Sequence, residues 1–336
     1  MSREVTMTRI AIDRIVAEPG TKASGYVPAV NRVDGTTLGI PVVVVNGQKD
    51  GPVLLVDGAI HGDEPEGTLA ILSLFKKLDP ARLRGAVIGV PVLNVGAYEA
   101  MARGNPRDTH TYDMNRIYPG RAEGFLTDRI ASVHNSVIGA LADMEISIHS
   151  GGNICYLAET IFVAANHDAS FELARAMGPE WPIILETPHP QGTPMAAMLG
   201  RGKPALTVEL GGAAIGMPDA LTKASTVIED ALMNVLCHYG MLDGQALYAP
   251  AVWRGRQKVV QAGRSGVLLP SPALRFKTPI RKGEVLLDIA DLLGNPIERL
   301  AAPCDGTLFG MRTYPSVTAG DWALFCADAT LERMDG

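Results

Sequence analysis

Residues 53–67 of the sequence, VLLVDGAIHGDEPEG, join an apolar run to a His and a Glu that are three residues apart. The apolar run predicts a buried strand, the glycines after it permit a tight turn, and Pro65 suits the first turn of a following helix. An imidazole and a carboxylate placed in this way can bind one metal ion, so His61 and Glu64 are candidate zinc ligands. Because zinc hydrolases commonly add one further His and keep the last position for water, we expect a third ligand downstream.

The composition indicates a folded protein that acts on small solutes. The chain has 336 residues, and its 47% hydrophobic content is enough for a large core. The net charge is −6, and the sequence contains no basic stripe. Both observations argue against nucleic acid and an anionic membrane surface as partners. Residues 1–20 lack the apolar core of about 7–15 residues that a signal peptide needs, and no later run reaches the roughly 18 apolar residues of a membrane span. We therefore expect a cytoplasmic protein with no membrane association.

The four cysteines lie far apart in the sequence. They are Cys155, Cys237, Cys304 and Cys326, and no two are close enough to form a redox motif or a thiolate metal site. We expect them to be reduced and structural.

The order of the predicted elements indicates an α/β fold, with a mixed sheet flanked by helices. Residues 1–48 contain β-like runs at Arg9–Val16 and Thr37–Val45, which predict an antiparallel edge or hairpin packed on the following part. Residues 49–245 form the predicted catalytic domain, in which the stretch Gln191–Gly202 is interpreted as a surface loop. The predicted elements of this part are strands 53–57, 86–92, 144–149, 160–164, 182–186 and 204–209 and helices 65–78, 126–141, 168–177 and 217–239.

Residues 246–336 predict an all-β domain, because short apolar runs alternate there with Gly and Pro turns. The segments Pro303–Gly306 and Val317–Asp321 resemble the barrel-sandwich fold of biotinyl and lipoyl carriers. The hairpin at Asp291–Pro296 has no lysine for a prosthetic group. We therefore expect a structural role, in covering the active site or in contact with a second copy of the chain.

The candidate third ligand is His149, at the end of the predicted strand 144–149. Along this strand Ile146 and Ile148 point to one face, and Ser147 and His149 point to the other. The histidine thus stands at a strand's carboxyl end, as His61 does. The other five histidines lie in loops or helices without such a setting; they are His110, His134, His167, His189 and His238.

Several motifs in a fixed order make the chain resemble the succinylglutamate desuccinylase/aspartoacylase family of zinc carboxypeptidase-like hydrolases. They span residues 50–215 and comprise His61–Gly67, Pro91–Asn94, Asn115–Arg116 with Tyr118–Gly120, His149–Gly151 and Val208–Gly211. The resemblance implies that His61, Glu64 and His149 bind one zinc ion per chain. The family's C-terminal β domain also agrees with the predicted tail.

The resemblance further implies that Asn115 and Arg116 bind a substrate carboxylate. A guanidinium offers a planar fork of donors to a carboxylate, and the adjacent amide can share that anion. A second arginine of the family polarises the scissile carbonyl. We assign this role to Arg103, with Arg107 as the alternative because the loop can be aligned either way.

A general base is expected at Glu209, which shares a strand face with Thr207 before two glycines turn the chain away. A carboxylate there could take a proton from water at the metal and deliver it to the leaving amine. Glu186, also near a predicted strand end, is the rival base, and the local match to the family favours Glu209.

One position departs from the family pattern. The family commonly has an acidic residue two positions before the third ligand, and this chain has Ser147. Such a partner fixes the tautomer of a metal-binding imidazole. Asp57 and Asp63 are candidate substitutes, and the sequence alone does not choose between them.

Together these residues predict a zinc-dependent amidohydrolase that removes an acyl group from an N-acyl amino acid or a related small amide. The enzymatic alternative is a metallocarboxypeptidase or peptide-fragment amidase. The alternative of another class is a catalytically silent protein that keeps the fold and binds a ligand.

Overall fold

The computed structural model describes residues 8–188, 190–212 and 218–334. His189 and residue 217, the predicted first residue of the last helix, lie outside the described residues. In chain order the elements up to residue 238 are β1 (Ile10–Ile12), β2 (Ile15–Ala17), β3 (Thr21–Asn31), β4 (Thr37–Asn46), β5 (Lys49–Gly58), α1 (Glu66–Lys77), β6 (Arg84–Val90), α2 (Val95–Glu99), α3 (Leu126–Val133), β7 (Met144–His149), β8 (Cys155–Ala164), α4 (Asp168–Arg175), β9 (Ile183–Thr187), α5 (Pro194–Leu199), β10 (Ala205–Gly211) and α6 (Pro218–His238).

After α6 the described chain continues in strands. They are β11 (Ala251–Gln261), β12 (Gly266–Pro270), β13 (Pro279–Ile280), β14 (Val285–Ala290), β15 (Pro296–Ala301), β16 (Gly306–Arg312), β17 (Ser316–Val317) and β18 (Trp322–Arg333). No helix in the described part of the chain is long and apolar enough to cross a membrane.

Within the described ranges, twelve strands form one mixed sheet in the order β13-β16-β18-β11-β9-β8-β10-β7-β5-β6-β4-β3. The predicted α/β architecture with a mixed sheet flanked by helices is therefore confirmed. The long hairpin of β3 and β4 joins the sheet through antiparallel pairing of β4 with β6. The central strands β6, β5, β7 and β10 are parallel, so their carboxyl ends lie at one edge.

Hydrophobic side chains cover both faces of the central strands. On one face, Val56 and Ile146 pack against helices α1 and α6. On the other face, Leu55 and Ile88 belong to a second cluster that includes α3 and α5. Because side chains alternate along a strand, the face that carries Leu55 also carries the polar residues of β7. The candidate site therefore lies on the face covered by α3 and α5.

The stretch Gln191–Gly202 is not a simple surface loop, contrary to the prediction, because it contains α5. Thr193 caps this helix by accepting the N–H of Ala196 at 3.1 Å, and proline occupies its first turn. Met195 and Met198 are 4% and 1% exposed. Burial of these two methionines against the sheet stabilises a helix that is short in isolation.

The end of the large sheet closes into a barrel. Its five strands in the described chain are β8, β9, β11, β18 and β16, and β16 returns to pair with β8 through Gly310 and Leu157. Their apolar side chains form one buried cluster of Cys155, Leu157, Ile183, Leu185, Phe309, Phe325 and Ala327. The barrel thus takes strands from both sides of residue 245. The domain boundaries at residues 48 and 245 remain predictions.

His134 is a buried histidine in the turn that follows α3. Its side chain is 1% exposed, and the Tyr118 hydroxyl lies 2.9 Å from Nδ1. Burial, with the charge of Arg201, lowers the pKa of His134 to about 3. The imidazole is therefore neutral in the folded protein at neutral pH.

We expect His134 to reduce the acid stability of the fold. The ordinary pKa of histidine is 6.5, and that of His134 in the folded protein is about 3. Between these two pH values the unfolded chain binds a proton at this residue that the folded chain does not bind. The free energy of unfolding therefore falls with pH by at most about 1.4 kcal/mol per unit from this group alone. From pH 7 to pH 5, the free energy of unfolding of His134→Asn should fall by about 2 kcal/mol less than that of the wild type. Denaturant titrations of both proteins at the two pH values measure this difference. Parallel pH profiles for the two proteins would contradict this.

Candidate metal centre

The predicted site residues converge at the carboxyl ends of the central strands. His61 lies three residues after β5, and His149 is the last residue of β7. Glu209 in β10 is the direct neighbour of His149 in the parallel register. Three strands that are adjacent in the sheet therefore place two imidazoles and a carboxylate at one edge.

The turn that carries His61 and Glu64 is fixed by a close approach of two backbones. Gly62 donates its N–H to the carbonyl of Ala102 at 3.0 Å. A Cβ at Gly62 would lie 2.0 Å from the carbonyl carbon of Ala97 in α2, so only glycine fits. The turn is thereby held against α2 and presents both side chains to the sheet edge.

The three predicted metal ligands face one another. The Nδ1 atoms of His61 and His149 are 3.2 Å apart, and each lies 2.8 Å from a different carboxylate oxygen of Glu64. All three side chains are at most 3% exposed. Two lone pairs at this separation repel each other unless a cation or a proton lies between them. Two neutral imidazoles and a carboxylate are also a donor set that zinc accepts, so the residues fit one zinc ion.

The electrostatics of the triad favour a positive charge at its centre. Burial alone would lower the pKa of His61, but the charge of Glu64 and the bond to Asp113 raise it to about 9. Burial likewise opposes ionisation of Glu64, yet the two histidines hold its pKa well below the usual range. The site therefore holds a proton where a metal would bind, and metal binding must release that proton.

Glu209 lies beside the triad and has an unusual environment. Its side chain is partly buried, and Oε2 is out of contact with solvent and has no hydrogen-bond partner in the part of the chain that the structure describes. Burial and the charge of Glu64 raise the pKa of this carboxyl well above its ordinary value, although Arg103 and Arg116 oppose the shift. A carboxyl group of raised pKa can both accept and return a proton near neutral pH.

Arg103, rather than Arg107, lies next to the triad. The Nη1 atom of Arg103 is 3.7 Å from Glu64 Oε1, and Nη2 donates to Asp113 at 2.9 Å. Arg107 instead lines a separate cavity of about 440 Å³ together with Arg32. The structure therefore brings the first-choice arginine to the site and leaves the alternative outside it.

Asn115 and Arg116 lie on a helical turn whose residue Met114 is fully buried. The side-chain oxygen of Asn115 is buried and has no hydrogen-bond partner among residues 8–188, 190–212 and 218–334. Arg116 is exposed, and its Nη1 donates to the Asn115 carbonyl at 2.7 Å. Its other guanidinium donors bind no described residue, and its charge lowers the pKa of Glu209.

Glu186, the rival base, is bound elsewhere. It lies in β9, which is separated from β10 by β8. Its carboxylate accepts two donors of Arg254, at 2.6 and 2.9 Å. A carboxylate held in this ion pair is not placed with the triad.

Comparison with known proteins gives the family of the chain. Residues 50–235 match the family described as succinylglutamate desuccinylase/aspartoacylase catalytic domain. The chain belongs to this family. An N-alpha-acetyl-L-2,4-diaminobutyric acid deacetylase from Halomonas elongata is 31% identical over 298 residues, which cover 84% of this chain and 83% of that protein.

Solved structures of this family have the same fold over almost the whole chain. The product-bound structure of the ectoine utilization protein EutE (DoeB) from Ruegeria pomeroyi has a TM-score of 0.81 and 25% identity, and the match covers 96% of this chain and 98% of that one. The succinylglutamate desuccinylase/aspartoacylase from Rhodobacter sphaeroides has a TM-score of 0.79 and 26% identity, with 97% and 98% covered.

In this member of the desuccinylase/aspartoacylase family, Asp113 lies in the site, but the sequence patterns predicted no role for it. It accepts the Nε2–H of His61 at 3.0 Å, the guanidinium of Arg103 and the backbone N–H of Asn115. The bond to His61 leaves Nδ1 free for the metal. The signal was available, because Asp113 lies two residues before the Asn115–Arg116 motif.

Ser147, two residues before the third ligand, contacts a buried carboxylate on the neighbouring strand. Ser147 donates its hydroxyl to Asp57 Oδ1 at 2.7 Å and lies 3.4 Å from His149 Nε2. Asp57 is the direct neighbour of Ser147 in the β5–β7 register. Asp63 instead accepts the N–H of Asn153. Of the two candidate carboxylates, Asp57 is therefore the one placed behind His149.

Proposed function

We propose that the chain is a zinc-dependent amidohydrolase, with one zinc ion per chain, that removes the acyl group from an N-acyl amino acid or a related small amide. The observation that carries the proposal is the convergence of His61, His149 and Glu64 on one point, with Glu209 on the neighbouring strand, whose Oε2 has no partner among the described residues. A deacetylase among the relatives supports the reaction type.

The residues divide the reaction among them. Bound zinc supplies a Lewis acid that activates the attacking water and polarises the scissile carbonyl. Glu209 accepts a proton from that water on its carboxylate and passes it to the leaving amine. Arg103, held in place by Asp113, donates to the carbonyl oxygen as negative charge develops there.

Substrate orientation in this proposal comes from Asn115 and Arg116. The exposed guanidinium binds the carboxylate of the amino acid, and the amide of Asn115 shares that anion. The bound carboxylate fixes the distance between the scissile amide and the metal, which lowers the entropic part of the barrier.

A substrate panel tests the proposal. The zinc-loaded protein should hydrolyse at least one of the N-acetyl, N-succinyl or N-acetyl-diamino acid substrates, and the amine released should appear in equal amount to the acid. Turnover of dipeptides in preference to N-acyl amino acids would instead assign a carboxypeptidase or peptide-fragment amidase. Stoichiometric zinc without turnover of any substrate would favour the silent binding protein.

Replacing Arg116 with Ala should weaken the enzyme mainly through KM. Charge-assisted hydrogen bonds contribute about 1.5–3 kcal/mol, so we expect kcat/KM to fall by about 10- to 150-fold. Steady-state kinetics on the best substrate of the panel measure this effect. The matched control is Arg107→Ala, because that exposed arginine lies outside the site. Equal effects of the two substitutions would remove the carboxylate role from Arg116.

The remaining features complete the proposal. Residues 246–336 are assigned to a barrel-sandwich-like β domain, supported by the four-stranded sheet β15-β14-β12-β17. A cytoplasmic location is supported by the free thiols of all four cysteines, since disulfides are rare in reducing compartments. The same proposal includes association of the chain with further copies of itself. Analytical sedimentation measures the number of copies in solution.

A further inference from the structure

A second group of buried titratable residues lies on the same sheet face as the triad. It consists of Asp57, His134 and Glu145, whose candidate ligand atoms all lie within 4.8 Å of one another. The three side chains are 0%, 1% and 2% exposed. Each has one buried atom without a hydrogen-bond partner among the described residues, namely Asp57 Oδ2, His134 Nε2 and Glu145 Oε1. None of the roles assigned above uses Glu145 or explains these three atoms.

Two ionised carboxylates are not stable in this arrangement. A buried charge without a partner costs several kcal/mol, and two like charges in contact add to that cost. In the described part of the chain, no Lys or Arg forms an ion pair with Asp57 or Glu145, and the His134 ring lies 3.9 Å from Glu145 Oε1. Arg201 is directed to Asn135, whose backbone and side-chain oxygens accept its Nη2.

We propose that Asp57 and Glu145 share one proton, and that this carboxyl pair acts through Ser147 to hold His149 in the tautomer whose Nδ1 is free to bind the metal. The inference rests on the proposed zinc site and deepens it. It assigns Asp57, Glu145 and Ser147 as positioning residues, and it gives this chain a substitute for the acidic residue that its family commonly has at position 147.

The directions of the hydrogen bonds follow from the number of protons. The Ser147 hydroxyl has one proton and donates it to Asp57 Oδ1 at 2.7 Å. Its oxygen can therefore only accept from His149 Nε2, at 3.4 Å, and Nε2 must carry the hydrogen. The neutral imidazole then has its lone pair on Nδ1, which faces Glu64 and His61.

The same count of protons accounts for the unpartnered oxygen of Asp57. A proton on Glu145 donates to Asp57 Oδ2, so Asp57 accepts two hydrogen bonds and retains one negative charge. The Tyr118 hydroxyl lies 2.9 Å from His134 Nδ1, and His134 Nε2 lies 3.9 Å from Glu145 Oε1, which is too long for a hydrogen bond. One proton between the carboxyls thus gives Asp57 Oδ2 a donor, and the neutral ring of His134 then faces a neutral carboxyl group.

The acid–base properties of the cluster agree with this arrangement. Burial raises the pKa of Glu145 well above its ordinary value, and the charge of Asp57 raises it further. Burial also raises the pKa of Asp57 to about 6, although the Ser147 hydroxyl opposes the shift. The pair is expected to carry one charge at neutral pH, as side-by-side carboxyls do in aspartic proteases.

Infrared difference spectroscopy tests the shared proton without any metal. The spectrum of the wild type minus Glu145→Gln should contain the C=O band of one buried neutral carboxyl group, and the band should persist when zinc is removed by a chelator. Gln keeps the shape of the protonated acid and a donor toward Asp57, so this variant should fold. Absence of the band from the difference spectrum would overturn the shared proton.

Zinc affinity, measured by competition with a chelator, tests the positioning role. Ser147→Ala and Asp57→Asn should each weaken zinc binding by about 10- to 100-fold, as loss of a metal ligand's partner commonly does. Glu145→Gln should stay within about threefold of the wild type, because the donor to Asp57 is retained. The matched control is Ser170→Ala, which removes a buried hydroxyl that contacts His167 and Ala205 away from the site.

The possible outcomes separate this inference from the proposed function. If Ser147→Ala binds zinc as tightly as the wild type, the positioning role of Ser147 is wrong. If the wild type binds two metal ions and Glu145→Gln binds one, the cluster is a cation site and the shared proton is wrong. A wild type that binds no zinc would refute the proposed metal centre, and the positioning role with it, while the infrared experiment would still decide the state of the carboxyl pair.

Discussion

Replacing Glu209 with Gln is expected to lower kcat by a factor of about 10² to 10⁴, the range that a general base contributes, while zinc stays bound. Gln keeps the size of the side chain but cannot accept a proton. Glu209 is adjacent to His149 in the sheet but is not one of the three groups that face one another in the triad. The substitution therefore separates proton transfer from metal binding.

The control for this experiment is Glu186→Gln. Glu186 also stands near the end of a strand, but its carboxylate is bound to Arg254. Its replacement should leave kcat within about threefold of the wild type once protein stability is matched. Normal turnover of Glu209→Gln, together with a large loss in Glu186→Gln, would transfer the role of base to Glu186.

Replacing His61 with Ala should remove both the bound metal and the activity. His61 Nδ1 lies within 3.2 Å of both other ligands, so its loss leaves two protein donors where zinc hydrolases use three. We expect metal content to fall below about a tenth of an equivalent and turnover below about a thousandth of the wild-type rate. Metal analysis after dialysis and single-substrate assays measure the two quantities.

The matched control for His61 is His238→Ala, in a partly buried histidine near the end of α6 that contacts Tyr248. This variant should keep one equivalent of zinc and its activity. Full zinc content in His61→Ala would show that the metal binds at another place, and loss of zinc from both variants would indicate a general effect on folding.

Much of the site was predictable from local sequence patterns. The strand 144–149 was placed at its observed bounds, because alternation of Ile with polar residues identifies both the strand and its buried face. The turn between β5 and α1 is encoded by glycine, proline and the apolar run before it. Once His61 and His149 were placed at strand ends, the parallel sheet brought them together, as it does in open α/β folds.

Other features depend on pairing between distant residues and have no local signature. Asp57 and Ser147 are 90 residues apart and meet only because β5 and β7 are adjacent in register. The choice between Arg103 and Arg107 depended on the path of a loop. Helix α5 was missed because a Gly-rich stretch of few residues gives weak helical periodicity, whereas its stability comes from two buried methionines.

The barrel that closes the large sheet has a consequence for how the protein unfolds. Its wall joins strands β8 and β9 from one side of residue 245 to β11, β18 and β16 from the other. Neither group can be removed without exposing a row of unpaired backbone groups and the apolar residues between the strands. A fragment that ends at residue 245 should therefore aggregate, and the whole chain should melt in one cooperative calorimetric transition instead of two.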